Sequence, residues 1–140
     1  MYMLSFILSL LLTAPGPQSV TVTVKTTGLA KGTLHLAVYA NAQDFAKDHS
    51  LTGAKQAFQA TESNVELDLP GAGTYVIAAF QDLNGNGKLD TNLFGVPTEP
   101  YGFSKTPPSK WRAPAFDEVA TEVGEGFGQP VVELRTWGEY

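Results

Sequence analysis

The stretch "TYVIAAF", residues 74–80, decides the fold. Apart from Thr74 it is apolar at every position, so a strand built from it has two apolar faces. Such a strand belongs in the middle of a sheet that is covered on both sides. It runs almost directly into "DLNGNGKLD", residues 82–90, where acidic and amide side chains recur at every second position, and then into "FGVPTEPYGFS", residues 94–104.

The N-terminal side of this strand has period two. In "SVTVTVKT", Val20, Val22 and Val24 alternate with Thr21, Thr23 and Lys25, a half-buried strand of β-branched residues. In "TLHLAVYA", Leu34, Leu36 and Val38 point one way, with His35 and Tyr39 on the other face. "NAQDFAKD" opens a short helix with Asn41 as cap and Asp44 three residues on. A strand is expected around Gln56–Ala60, and another turns Val65, Leu67 and Leu69 inward. On the C-terminal side, "FDEVATEV" fits a helical turn or a strand equally well. "QPVVELRTW" alternates again, with Val132 and Leu134 inward and Trp137 outward by parity.

Short strands at this spacing, punctuated by Gly and Pro, predict an all-β fold. The expected form is an antiparallel β-sandwich of about seven strands, immunoglobulin-like or transthyretin-like, with a Greek key. Residues 81–115 have no sustained apolar period. A connection of that length in a compact domain is expected to be ordered and functional.

No charged side chain appears before Lys25, and "MLSFILSLLL" has the length of a signal-peptide core, too short to span a bilayer. It has no Lys or Arg ahead of it. Residues 1–18 are expected to be a signal peptide and 19–140 a single domain, periplasmic or secreted, with no membrane insertion of the mature part. A domain of roughly 120 residues buries roughly two-thirds of its unfolded surface, enough for one core. There is no cysteine, so no disulfide, thiol nucleophile or Cys-ligated metal is available. The formal charge is −5, and the nine basic residues are scattered. Nucleic acid is excluded as a partner, since its binding needs clustered Lys and Arg.

Against the spacing of an EF-hand loop, Asp82 takes the first position, Asn84 the third and Asn86 the fifth. Gly87 falls at the sixth, Lys88 offers its carbonyl at the seventh, and Asp90 takes the ninth. Calcium wants six to eight oxygens, and alternate residues of a tight coil can supply them. The twelfth position, where a bidentate Glu belongs, is Leu93, so a helix-loop-helix sensor is ruled out. A looser Ca2+ loop with ligands Asp82, Asn84, Asn86, Lys88 and Asp90, closed by Glu99 or Asp117, is expected to bind in the range of roughly 0.1 to 1 mM. The alternative is a plain turn, since Asn-Gly accepts positive φ readily.

"GTYVIAAFQDLNGNGKLDTNLFGVPTEPYGFS", with "LDLPGAG" before it and "PAFDEVATEV" after it, resembles the bacterial domain of unknown function 2141 family. The resemblance spans residues 19–137. It implies export and a β-sandwich and gives no reaction. It also implies that Asp82, Asn84, Asn86, Gly87 and Asp90 act with Gly95, Pro97, Glu99, Pro100 and the Tyr101–Ser104 run. Tyr101 and Phe103 are expected to divide between core and surface.

There is no G-x-S-x-G elbow, phosphate loop or H-E-x-x-H. His35 and His49 read as solvated surface residues. The chain is therefore expected to be a non-catalytic structural or protein-binding module. Alternatives are a carbohydrate-binding module using Tyr101, Trp111 and Trp137, or a small hydrolase using Glu99 and Asp117.

Overall fold

The computed structural model describes residues 16–140. All but the end of the expected signal peptide, residues 1–18, lies outside the described residues. The order of elements is β1 (Gln18–Thr26), β2 (Thr33–Tyr39), helix α1 (Ala42–Ala46), β3 (Thr52–Ala57), β4 (Glu62–Leu69) and β5 (Gly73–Asp82). Then come β6 (Tyr101–Phe103), α2 (Phe116–Val119), β7 (Thr121–Val123), β8 (Val131–Leu134) and a 3-10 turn at Trp137–Glu139.

The strands form an all-β sandwich. One sheet has the order β4-β1-β8, the other β3-β2-β5-β6, with β7 also on β5. Val22, Val65 and Val132 of the first sheet share one core with Leu36, Ile77 and Ala79 of the second. The period-two pattern produces this directly, because alternate side chains of each strand meet across the gap between the sheets.

The central place expected for residues 74–80 is where they lie. β5 pairs with β2 along one edge, and with β7 and then β6 along the other. Tyr75, Ile77 and Ala79 enter the main core. Val76, on the opposite face, joins Tyr39 and Val119 in a second cluster, against which Phe45 and Phe116 pack. The two short helices thus cover part of the outer face of the second sheet. Helix α1 starts as its sequence predicts: the Asn41 side chain accepts from the Asp44 amide at 2.8 Å. A cap of this kind stabilises a helix by about 1 kcal/mol.

Among the described residues there are eight strands, in keeping with the about seven expected, and "FDEVATEV" is both things at once, α2 followed by β7. Two expectations are corrected. β1 and β8 run parallel, with Val24 beside Val132. Alternation defines faces and is blind to strand direction. The strand expected at residues 56–60 is β3, at Thr52–Ala57. Gly53 sits on this edge strand, where a Cβ would lie 2.6 Å from the Leu36 carbonyl oxygen. Only a glycine allows that approach.

Candidate functional site

The site grows out of the last residue of the central strand. Asp82 ends β5, opposite Thr33, and is 1% exposed. Its Oδ1 accepts from the Gly85 amide at 2.9 Å and its Oδ2 from the Gly87 amide at 2.8 Å. Gly85 and Gly87 have φ of 75° and 76°, the left-handed backbone that lets both amides turn back on one carboxylate. Asn84 Oδ1 accepts from the Asn86 amide at 3.1 Å, and Asn86 Oδ1 from the Lys88 amide at 3.0 Å. Residues 82–88 therefore wind into one coil with alternate side chains turned inward.

Asp90 closes the coil. Its Oδ2 accepts from Asn84 Nδ2 and its Oδ1 from Asn86 Nδ2, both at 2.6 Å. Glu99 lies beneath, 4% exposed. Its Oε1 accepts from the Leu83 amide at 2.8 Å and its Oε2 from the Asp90 amide at 3.1 Å, so one carboxylate ties both ends of the coil. The chain then makes a second turn, in which Asn92 Oδ1 accepts from the Phe94 and Val96 amides. Leu93 and Phe94 stand at its tip, 101% and 90% exposed. Leu93, at the twelfth loop position, contributes nothing to the coil.

Burial of the Asp82 carboxyl works against its charge. The Gly87 and Gly85 amides and then His35 outweigh that, so Asp82 titrates below an ordinary aspartate. His35 is a correction to the sequence reading. Its Nε2 is 3.2 Å from Asp82 Oδ2, its side chain is 18% exposed, and its ring stacks on Phe80 at 4.8 Å. It is part of the site and not a solvated surface residue. The signal was its cross-strand position, two residues along β2 from the residue facing Asp82.

A family model described as an uncharacterized protein conserved in bacteria (DUF2141) matches residues 22–129. The chain belongs to the DUF2141 family. Neither a curated protein nor a solved structure matches it significantly. The DUF2141 match spans the sandwich from β1 to the turn before β8 and contains the whole coil. It supplies no activity.

The "YGFS" run of this DUF2141 chain has structural roles that its residues explain. Tyr101 and Phe103 both face outward and Gly102 is the buried one, which corrects the expected division between core and surface. Residues two apart on a strand share a face. The Ser104 hydroxyl donates to the Val119 carbonyl at 2.6 Å and accepts from the Ile77 amide at 3.1 Å, pinning α2 to β5. Gln81 was also missed: it is 1% exposed, and its Nε2 donates to the Leu29 and Lys31 carbonyls. That fastens the β1–β2 turn to the strand bearing Asp82.

The structure does not bring the other candidates into the coil. Asp117 is exposed on α2. Trp137 lies in the 3-10 turn and is half-buried, not outward on a strand, with its Nε1 donating to the Lys110 carbonyl. Trp111 is 78% exposed and stands edge-on to Trp137 at 5.0 Å. Among the described residues, no three of His, Cys, Asp and Glu come together as a metal cluster. No helix among them is long and apolar enough to cross a membrane.

Glu118 gives a direct test of the local electrostatics. Arg112 holds it with two hydrogen bonds, of 2.8 and 2.6 Å, and the Ala115 amide donates a third. Arg112 first and the amide second bring its pKa from 4.5 to about 2. A depressed folded pKa means a contribution present above the unfolded value and lost as pH falls from 4.5 towards about 2. An NMR titration should place Glu118 near the lower value, and Arg112→Ala should return it towards the upper one. An ordinary Glu118 titration in the unaltered protein would show that the pair does not form.

Proposed function

We propose that the protein is an exported, non-catalytic β-sandwich module whose 82–90 coil binds Ca2+ weakly, with the surface around that coil facing a protein partner. The observation that supports this reading is the convergence of the Asn84, Asn86 and Asp90 side chains on one point, above a backbone coiled by Asp82. Those are the first, third, fifth and ninth positions of a calcium loop. A cation entering there takes the Asp90 carboxylate, with amide oxygens reached by rotating Asn84 and Asn86, backbone carbonyls including that of Lys88, and water. The rotation breaks two hydrogen bonds to Asp90. Asp82 and Glu99 are already occupied by backbone amides and set the coil's shape, which keeps the affinity in the weak extracellular class. Occupation of Glu99 by two amides, together with Asp117 standing exposed on α2, also favours a binding role over hydrolysis.

Thermal unfolding in EDTA and then in calcium, with magnesium as control, tests the reading. Calcium at about ten times Kd should add about 1.4 kcal/mol of stability, which Asp90→Ala removes. No shift at about 10 mM calcium would end it.

A second reading, glycan binding, is favoured by one feature. A groove of about 510 Å3 runs between the 94–97 turn and the 107–114 segment, with Trp111, Trp137 and Tyr101 on its walls. Exposed aromatic faces of this kind stack on sugar rings. Quenching or enhancement of tryptophan fluorescence by oligosaccharides, lost in Trp111→Ala, separates this from a protein-facing role.

A further inference from the structure

We infer that the outer face of the second sheet carries a binding cleft for a short peptide with free termini, two or three residues long and with an apolar side chain. The cleft adjoins the tryptophan groove, sharing Leu89, Tyr101 and Phe103 with it, and has a volume of about 550 Å3, within the usual range for small-ligand sites. It lies where α1 and α2 leave the sheet uncovered.

Its floor comes from the register. Ala37 and Ala78 lie directly opposite each other on β2 and β5, and Phe103 sits next to Ala78 on β6. One step along the strands, the stacked His35–Phe80 pair rises beside Tyr101; on the other side stands Tyr39. Two methyl groups among aromatic side chains make a depression that accepts an apolar side chain.

Its ends carry opposite charges. Asp48 lines the cleft at the Tyr39 end, where its carboxylate accepts the Tyr39 hydroxyl. Lys88 lines it at the other end, on the coil whose Gly87 amide is bound to Asp82. Lys88 is exposed and has no ion-pair partner among the described residues. Asp48 has φ of 55° and follows the Lys47 cap of α1. That left-handed position after a helix usually carries glycine. An aspartate there places a carboxylate at the cleft mouth in spite of the backbone's preference.

From His35 to Tyr39 the strand runs on the order of 13 Å. An extended peptide covers about 3.5 Å per residue, and the flexible stem of Lys88 spans part of the distance. A free amino terminus at Asp48 and a free carboxylate at Lys88 therefore match two or three residues. A neutral sugar uses neither charge, and a single amino acid is too short to meet both.

The test is an NMR titration of the protein with Ala-Phe-Ala, its N-acetylated form, its C-terminal amide and L-phenylalanine. The free tripeptide should shift the Ala37, Ala78 and Phe103 resonances. Blocking either end should weaken binding about fivefold, the upper value for an exposed charge pair. Lys88→Ala should erase the penalty for amidation alone, and Asp48→Asn, which suits the left-handed position, the penalty for acetylation alone. Ala78→Leu fills the floor and should abolish binding while the fold's spectrum is kept. Equal binding of the free peptide and its two blocked forms overturns the inference. So does L-phenylalanine binding as tightly as the tripeptide, or an absence of shifts at those three residues at about 10 mM ligand.

Discussion

Gly102→Ala is expected to remove about 3 kcal/mol of stability and to lower the melting temperature by on the order of 10 °C. The cause is a single added methyl group. A Cβ at Gly102 would stand 2.2 Å from the Glu133 carbonyl oxygen and 3.0 Å from its carbon. Both are backbone atoms, so no rotamer change relieves the overlap. Here β6 is wedged between β5 and β8. Tyr101 and Arg135 exchange backbone hydrogen bonds at 3.0 Å in both directions across the corner where the two sheets meet. Moving β6 away to admit the methyl group breaks that exchange. Moving it with β8 pulls Val132 and Leu134 out of the core.

For a domain whose total stability is about 5–15 kcal/mol, this loss is large. Gly95→Ala is the natural control. Gly95 has φ of 75° but open space around its Cβ position. That substitution carries the backbone penalty alone, about 1 kcal/mol. Thermal melts of both variants followed by circular dichroism distinguish the two costs. If Gly102→Ala melted like Gly95→Ala, the close approach of β6 to β8 would not exist in solution.

The contrast between these glycines shows what a sequence carries and what it leaves out. Gly85 and Gly87 were readable, since their need for positive φ follows from Asn-Gly spacing alone. What Gly102 approaches was not, because Glu133 lies far along the chain and because Tyr101 and Phe103 were expected to divide between core and surface. The strand faces from Val22 to Leu69 were legible because each is a local alternation against water. The parallel contact of β1 with β8 has no local signature.

His35 was missed for a related reason. On its own strand it is simply polar among outward residues, and only the pairing of β2 with β5 reveals Asp82 and Phe80 beside it. Ala37 and Ala78 are likewise unremarkable until the register sets them opposite each other. Glu99 was legible as a partner of the loop, and in the structure its carboxylate accepts the Leu83 and Asp90 amides.

Glu99→Ala is accordingly expected to cost about 3 kcal/mol, and Glu99→Gln about 2 kcal/mol. Both oxygens of this buried carboxylate accept a backbone amide, Leu83 through Oε1 and Asp90 through Oε2. Alanine leaves two amides without their acceptor, and partial access of water through the coil recovers some of the loss. Glutamine keeps the shape but replaces one oxygen by an NH2 group. Whichever way the amide is turned, one donor then faces a backbone N–H. Denaturant melts in EDTA measure these costs.

Calcium added to the same two variants decides the carboxylate's role. A ligand to the ion would lose the calcium response with its charge, whereas a tether would lose stability and keep the response. With both oxygens already at 2.8 and 3.1 Å from amides, the tether is the expected outcome. Glu99→Gln should start from a lower melting temperature and still rise with calcium by nearly the unaltered amount. A stabilisation by calcium that vanishes in Glu99→Gln, with the EDTA melting temperature unchanged, would place Glu99 on the ion instead. It would also mean that the amide contacts under the coil give way when the cation enters.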